Sequence, residues 1–268
     1  VFSPYYAFAR RGGHSAPAEN HCAFNVALYG PGGRWAMTER GASRLNRDDG
    51  TISIGPSSLA WCDGGLDLEF DEICAPLPRR ARGKARIELP GLLETEYVLD
   101  AEGAHVWRPL APRARISVAL DAPRLNWTGD CYVDCNFGAR PLEADFVSWN
   151  WSRAHLESGA AVVYEALRRD GETTLLALRF DDERVAAFDP PPRAALPPTL
   201  GRLHGETRAE GPARVIQKLE DAPFYSRSLL GLRLLGEETT AVHESLSLDR
   251  FTRPTTQFML PFRMPRRA

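Results

Sequence analysis

The feature that most constrains the fold of this chain is a succession of short segments in which apolar and polar residues alternate. A period of two is what a β-strand with one buried face requires, and most of these segments are bounded by Gly, Pro, Asn or Asp. The 22 glycines and 21 prolines supply frequent turns. The segments are 21–30, 33–40, 50–55, 66–73, 84–90, 94–100, 113–121, 160–169 and 173–181. This pattern predicts an all-β protein whose antiparallel sheets close into barrels or pack as sandwiches.

One stretch, 221–237, departs from the strand pattern. Its apolar residues can be placed on one face of a short helix near the C-terminus. These residues are Phe224, Leu229, Leu230, Leu232 and Leu235. Two interpretations stay open: the helix packs on the protein, or its apolar face contacts a membrane surface.

Two further segments bear on domain organisation and surface contacts. The proline-rich piece 189–201 predicts a stiff loop within a second domain, and we place the boundary so that β domains cover 1–145 and 146–268. The segment 78–86 crowds basic residues into a loop-like stretch. It predicts either a solvated hairpin tip or a contact with anionic lipid headgroups.

Composition and missing motifs exclude several classes of function. A formal net charge of -2 gives no reason to expect a nucleic-acid partner. The chain has no apolar run of the ~20 residues that span a bilayer and no signal-peptide layout at its start, so we expect a soluble or peripheral protein on the cytoplasmic side. Five cysteines without a C-x-x-C pair indicate free thiols in a reducing compartment. Hydrolase, metalloprotease, kinase and dehydrogenase signatures are absent, and the six histidines lack metal-ligand spacing.

Two pairs of residues have the spacing that puts both side chains on one face of a strand. In "DCYVDCNFG" (130–138) these are Tyr132 and Asp134, and in "GAHVWRPL" (103–110) they are His105 and Trp107. Neighbouring strands would bring one carboxyl group, one imidazole and two aromatic rings together, a set that suits acid chemistry on an apolar substrate. The alternative is a core tryptophan, a surface histidine and an aspartate that caps a turn.

A third stripe lies in "VSWNWSRAH" (147–155), where Trp149, Trp151 and His155 would share a strand face. A stripe of this kind is more often part of a core than a ligand contact. We nevertheless predict these three as substrate-binding residues.

At these residues the sequence resembles the carotenoid 1,2-hydratases, the hydroxyneurosporene synthase family. The resemblance covers the chain from end to end. The matching stretches include "VFSPYYAFARR" (1–11), "HCAFNVALYGP" (21–31), "HVWRPLAPRARI" (105–116), "DCNFG" (134–138), "WSRAHL" (151–156), "EDAPFYSRS" (220–228), "VHESLSLDRF" (242–251) and "LPFRMPRR" (260–267).

The resemblance implies an enzyme that needs no cofactor and no metal. Its expected reaction adds water across the terminal 1,2 double bond of an acyclic carotenoid such as lycopene or neurosporene, giving a tertiary alcohol. It also implies two lipocalin-like β domains and peripheral contact with the inner or photosynthetic membrane, where such a substrate resides. Family members usually carry residues before the stretch that matches 1–11, so the first domain is expected to lack its first strands.

The resemblance places the catalytic residues at His105, Trp107, Tyr132 and Asp134. Our hypothesis makes Asp134 the general acid, His105 the base or relay for water, and the Trp107 and Tyr132 rings the stabilisers of a carbocation. Cys135 stands where the family commonly has Ser, on the opposite strand face from Asp134, with little expected effect on chemistry. Two alternative hypotheses stay open: a lipocalin-like protein that binds a hydrophobic ligand without reaction, and a catalyst of polyene cyclisation.

Overall fold

The structure is a computed structural model that describes residues 3–12, 16–181 and 184–267. It confirms the all-β prediction: strands dominate and helices are few and short. The chain divides into two compact units, the first formed by residues 1–92, 113–133 and 257–268 and the second by residues 93–112 and 134–256. Each unit is therefore assembled from separate stretches of sequence. A boundary between domains at 145/146 stays a prediction.

Strands and helices are numbered along the chain. The strands are β1 (Cys22–Leu28), β2 (Arg34–Arg40), β3 (Leu45–Arg47), β4 (Thr51–Ile54), β5 (Ser57–Cys62), β6 (Gly65–Ile73), β7 (Arg80–Glu88), β8 (Tyr97–Val98), β9 (His105–Ala122), β10 (Arg124–Gly138), β11 (Phe146–Leu156), β12 (Gly159–Arg168), β13 (Thr173–Phe180), β14 (Val185–Ala187), β15 (Arg193–Ala195), β16 (Glu206–Arg208), β17 (Arg214–Asp221), β18 (Tyr225–Leu234), β19 (Glu237–Ser247) and β20 (Arg266–Arg267). The α-helices are α1 (Pro4–Arg11), α2 (Leu142–Asp145), α3 (Leu248–Phe251) and α4 (Pro254–Arg263), and 3₁₀ turns cover Ala18–His21 and Ala42–Arg44.

The first unit contains two sheets. One has the order β1-β2-β20, in which β20 runs parallel to β2, and the other has the order β10-β9-β7-β6-β5-β4-β3. Residues 105–112 of β9 and 134–138 of β10 belong to the second unit. Apolar side chains between them form a core: Val26, Phe70, Ala81, Ala85, Val118 and Leu120. Because successive residues of β7 alternate between this core and solvent, only one of its faces is apolar.

The prediction of a loop over 78–86 is wrong for most of that segment, because β7 begins at Arg80. Its basic side chains occupy the exposed face of the strand and pair with acidic residues. Arg80 bonds Asp71, Lys84 bonds Glu69 and Arg86 bonds Asp67, all on the antiparallel neighbour β6. Cross-strand charge pairing therefore accounts for the run of basic residues.

The second unit is built on one long antiparallel sheet with the order β14-β13-β12-β11-β19-β18-β17, and β15 pairs with β16 in a separate hairpin. One face of the long sheet carries a core of small and branched apolar side chains. Its buried members are Ala154, Leu156, Ala161, Ala209, Leu230, Leu232, Leu234 and Ala241. Strand β12, an interior strand of this sheet, is buried on both faces over most of its length.

The helix predicted over 221–237 is wrong, because this stretch forms the end of β17 and all of β18. The leucines at 230, 232 and 234 are the buried ones, and they recur every two residues rather than every three or four. Hydrogen bonding to β17 and β19 on either side satisfies the backbone of β18. The short helices near the C-terminus are α3 and α4 instead.

Within the described residues, no helix is both long and apolar enough to cross a bilayer. The lipocalin-like detail of the predicted fold stays a prediction.

Candidate active site

Trp107 and Asp134 form the centre of the candidate site. Along the first part of β9 the odd-numbered residues are buried, so His105 and Trp107 point to the same side, as the spacing predicted. The Trp107 ring has 0% of its surface exposed. Its Nε1–H donates to Oδ2 of Asp134, on β10, across 2.8 Å. A half-buried carboxyl group is thus held in place by a fully buried indole.

Aromatic rings surround that indole. Tyr97, opposite Trp107 in the β8–β9 pairing, lies 5.5 Å away between ring centroids, and Tyr164 of β12 lies 5.6 Å away. Trp149 of β11 extends the cluster, 6.4 Å from Tyr164. Burial, and then the nearby carboxylates of Asp134 and Glu244, raise the pKa of the Tyr164 phenol. That phenol is therefore neutral at ordinary pH, and the cluster presents uncharged π faces beside a carboxyl group.

His105 has an acidic partner of its own. Its Nε2 lies 2.7 Å from Oδ2 of Asp145, at the end of α2, and Arg140 bonds the same Oδ2 through Nε at 3.0 Å. The imidazole also makes an edge contact with Phe146, with 5.0 Å between centroids. Phe146 in turn contacts Trp149, so His105 joins the aromatic cluster through one intervening ring.

Asp100 fixes the turn that leads into β9. Its Oδ1 accepts the backbone N–H groups of Glu102 and Ala104, and its Oδ2 accepts that of His105 at 2.6 Å. Burial works against the charged carboxylate, but these three donors outweigh it and lower the pKa of Asp100. The backbone of His105 is consequently set by a carboxylate five residues earlier.

Gly138, the last residue of β10, lies directly against His105. A Cβ at this position would lie 2.7 Å from His105 Nδ1 and 2.8 Å from the Ala104 carbonyl oxygen, too close for any side chain. The backbone N–H of Ala139 donates to that same carbonyl at 2.9 Å. Only glycine allows β10 to pass this close to the imidazole.

Four of the predicted site residues belong to the aromatic cluster or contact it, and three lie elsewhere on β10 and β11. Trp107, Asp134, Trp149 and His105 belong to the cluster, and Tyr132 is half-buried two residues before Asp134 on β10. Trp151 is half-buried on β11 opposite Tyr164. His155 is exposed, six residues and therefore roughly 20 Å along the strand from Trp149. The roles assigned to these residues stay predictions.

Four residues of the site were not predicted from the sequence: Tyr97, Asp100, Asp145 and Tyr164. The "DAEG" stretch at 100–103 carried the one usable signal, since Asp followed by Gly is typical of a turn closed by the carboxylate. The positions of the other three residues depend on which strands pair and on how the chain folds back, and no local sequence pattern shows either. Among the described residues, no group of three or more His, Cys, Asp or Glu side chains has the arrangement of a metal site.

An all-β chain that bonds a carboxyl group to a buried indole among aromatic rings has the features of a protein that handles an apolar molecule next to an acid. The sequence comparisons are specific: the model of the family described as carotenoid hydratase CrtC matches residues 1–268, and the chain belongs to this family of enzymes.

Curated relatives agree over the whole chain. It is 50% identical to the acyclic carotenoid 1,2-hydratase of Thiocapsa roseopersicina, covering 99% of this chain and 67% of the relative. It is 46% identical to the enzyme of the same name from Rubrivivax gelatinosus, covering 100% and 68%, and 41% identical to that of Cereibacter sphaeroides, covering 100% and 95%. Among solved structures it is similar to the crystal structure of CghA, with a TM-score of 0.50 and 12% identity over 84% of this chain and 74% of that one. This last likeness concerns the fold alone.

Proposed function

We propose that this protein hydrates the terminal 1,2 double bond of an acyclic carotenoid of the lycopene or neurosporene type, without a cofactor, to give a tertiary 1-hydroxy product. The observation that carries the proposal is the Asp134 carboxyl group, bonded to Trp107 Nε1–H within a cluster of aromatic rings. The relatives named acyclic carotenoid 1,2-hydratase support the choice of substrate.

The first step is protonation of the alkene. Asp134 gives its proton to C2, the π electrons form the new C–H bond, and a tertiary cation remains at C1. Because Trp107 donates to Oδ2, that oxygen is the carbonyl acceptor of the neutral acid and the transferable proton belongs on Oδ1. Once the proton has left, the same N–H stabilises the carboxylate, since hydrogen bonds to charged acceptors are the stronger ones.

The cation needs stabilisation without a competing nucleophile. Aromatic faces meet both needs, and a desolvated cation–π contact is worth about 2 kcal/mol or more. We assign this role to Trp107 and Tyr132, with Tyr97 and Tyr164 as neighbouring rings. The raised pKa of Tyr164 supports the assignment, because a neutral phenol is a poor nucleophile.

Water then captures the cation at C1 and loses a proton. We assign the proton acceptor to His105. If Asp145 accepts from Nε2–H, the lone pair of the imidazole is on Nδ1, the nitrogen beside which Gly138 carries no side chain. Trp149, Trp151 and His155 are proposed as contacts along the remainder of the polyene chain.

An apolar carotenoid partitions into lipid, so we also propose peripheral contact with a membrane on its cytoplasmic side. The partners in this proposal are the carotenoid, water and a bilayer surface. Nucleic acid is not among them.

The test is conversion of lycopene in detergent micelles made in ¹⁸O-labelled water. Hydration gives a tertiary alcohol that carries the label. A binding protein would return unchanged lycopene and a cyclisation catalyst an unlabelled isomer, and either result would overturn the proposal.

The variant that tests the acid is Asp134→Asn, which keeps the shape and an acceptor for Trp107 but has no transferable proton. We expect its rate to fall about 10²- to 10⁴-fold, the usual contribution of a general acid. Cys135→Ser, at the exposed neighbouring position, is the matched control and should retain activity. Near-normal turnover by folded Asp134→Asn would remove Asp134 from the role of acid.

A further inference from the structure

Helix α4 exposes large apolar side chains and buries polar ones, the reverse of the usual arrangement in a surface helix. Its exposed side chains include Phe258 at 70%, Met259 at 55% and Phe262 at 64% exposure, while Thr256 and Gln257 are buried at 5% and 1%. The Phe258 and Phe262 rings contact each other, with 5.8 Å between centroids. A surface helix normally buries its large apolar residues. The three exposed side chains, here called the α4 patch, thus form a contiguous apolar surface.

The charged residues in the segment that carries this patch all have the same sign. Residues 252–267 contain arginines at 253, 263, 266 and 267 and no acidic residue, whereas the whole chain has a formal net charge of -2. Arg263 and Arg267 are exposed. Positive charge is therefore concentrated at the C-terminal end of the apolar surface, which favours an anionic partner.

The last residue of α4 and the segment that follows it contact the rest of the first unit. Met264 is buried, and the Arg263 guanidinium lies 4.3 Å from the centroid of the Trp35 ring. Arg266 pairs with buried Glu39, and its backbone N–H donates to the Tyr5 hydroxyl at 3.2 Å. These contacts anchor the C-terminal end of α4 to the first unit.

We propose that the α4 patch is the surface by which this protein binds an anionic lipid bilayer. Phe258, Met259 and Phe262 would enter the boundary between headgroups and acyl chains, and Arg263 and Arg267 would contact lipid phosphates. A helix of 10 residues is about 15 Å long, half of what a bilayer requires, so it lies in the interface and does not span it. The proposal rests on the proposed function, because it identifies where an enzyme with a membrane-dissolved substrate meets the membrane.

The experiment compares vesicle flotation with activity in micelles. Vesicles contain either phosphatidylcholine alone or phosphatidylcholine with about 30% phosphatidylglycerol, a fraction that provides an anionic surface. The double variant Phe258→Ser/Phe262→Ser should bind anionic vesicles at least about tenfold more weakly, because two apolar insertions are lost. Arg267→Gln should weaken binding to anionic vesicles about fivefold and leave binding to neutral ones unchanged. Leu200→Ser, at a position that is 89% exposed, is the matched control and should bind like the unmodified protein.

Three outcomes would overturn the α4 patch as the membrane surface. The first is full flotation by the double variant, and the second is an equal loss of vesicle binding in Leu200→Ser. The third is a change from dimer to monomer in the double variant with unchanged flotation, because a second copy of this chain would then be the occupant of the patch. The proposed function is tested separately, since lycopene in micelles needs no vesicle docking. The double variant should hydrate it at the normal rate, and failure of the unmodified protein to do so would count against the function but not against the docking.

Discussion

Trp107 donates its indole N–H to Asp134 Oδ2 across 2.8 Å, and the two residues come from different strands, β9 and β10. The indole is fully buried and also contacts Tyr97 and Tyr164 with its ring. Its nitrogen and its π face are therefore separate contributions. One orients the carboxyl group, and the other provides an apolar surface next to it.

Replacing Trp107 with Phe separates these contributions, because Phe keeps an aromatic face and loses the N–H donor. A hydrogen bond to a charged group is worth about 1.5–3 kcal/mol, so we expect kcat to fall roughly 10- to 150-fold. KM should stay within about twofold, since the donor matters most after the proton has left Asp134. Steady-state kinetics on lycopene in micelles measure both. An effect confined to KM would show that the indole binds substrate and does not support the acid.

Asp145 is the expected positioning residue for His105, through the 2.7 Å contact with Nε2. Asp145→Asn removes the charge that selects one tautomer and one ring orientation, so kcat should fall about tenfold while KM stays within about twofold. Glu102→Gln is a matched control, because Glu102 also bonds Arg140. Among the described residues, no hydrogen bond joins Glu102 to the imidazole of His105. Equal losses in both variants would trace the effect to Arg140 rather than to His105.

Local patterns predicted the strands well and the site in part. Alternation along 105–110 correctly put His105 and Trp107 on one face, because that property depends only on the strand period. The contact between Tyr97 and Trp107 depends on which residues face each other across β8 and β9, and no local pattern encodes that register. The error at 221–237 has the same origin: leucines spaced for a strand can also be placed on a helix face, and pairing with β17 and β19 decides between them.

Asp100 should stabilise the fold in a pH-dependent way. Its folded pKa is lowered, so its contribution is present above the unfolded value of about 4 and is lost as pH falls through the folded pKa. In Asp100→Asn one oxygen becomes an NH₂ group that faces a backbone N–H, and we expect a loss of about 1–3 kcal/mol at pH 7. Urea unfolding at pH 7 and at lower pH should show the difference from the unmodified protein shrinking in acid.

A suitable control for Asp100 is Asp48, which accepts the backbone N–H groups of Gly50 and Thr51 in an exposed turn. Asp48→Asn should cost less, because water can replace the lost acceptor. If both variants lost the same free energy at pH 7, burial of Asp100 would not be the reason for its contribution.

His243 should also make the stability of the fold depend on pH, in this case as a buried base and not as a carboxylate. It lies in the second unit, 2% exposed, with Nε2 3.0 Å from Ser245 Oγ, and that hydroxyl donates to Asn150 Oδ1 at 2.7 Å. Since the serine proton is directed at Asn150, Nε2 carries the hydrogen and donates to Oγ. Burial lowers the pKa of His243 to about 4. The imidazole is therefore neutral in the folded protein at pH 7.

The sign of the effect follows from this lowered pKa. Between about pH 6.5 and 4 the unfolded chain binds a proton at His243 that the folded chain does not, so folding stability falls as pH falls through that window. The full difference is about 3 kcal/mol. His243→Gln places an amide nitrogen near the Nε2 position and removes the titration, so its stability should fall less between pH 7 and pH 4 than that of the unmodified protein. Urea unfolding at several pH values measures the slope, with His204→Gln at an exposed position as the control. An identical pH slope in His243→Gln and the unmodified protein would show that His243 is not the group that titrates.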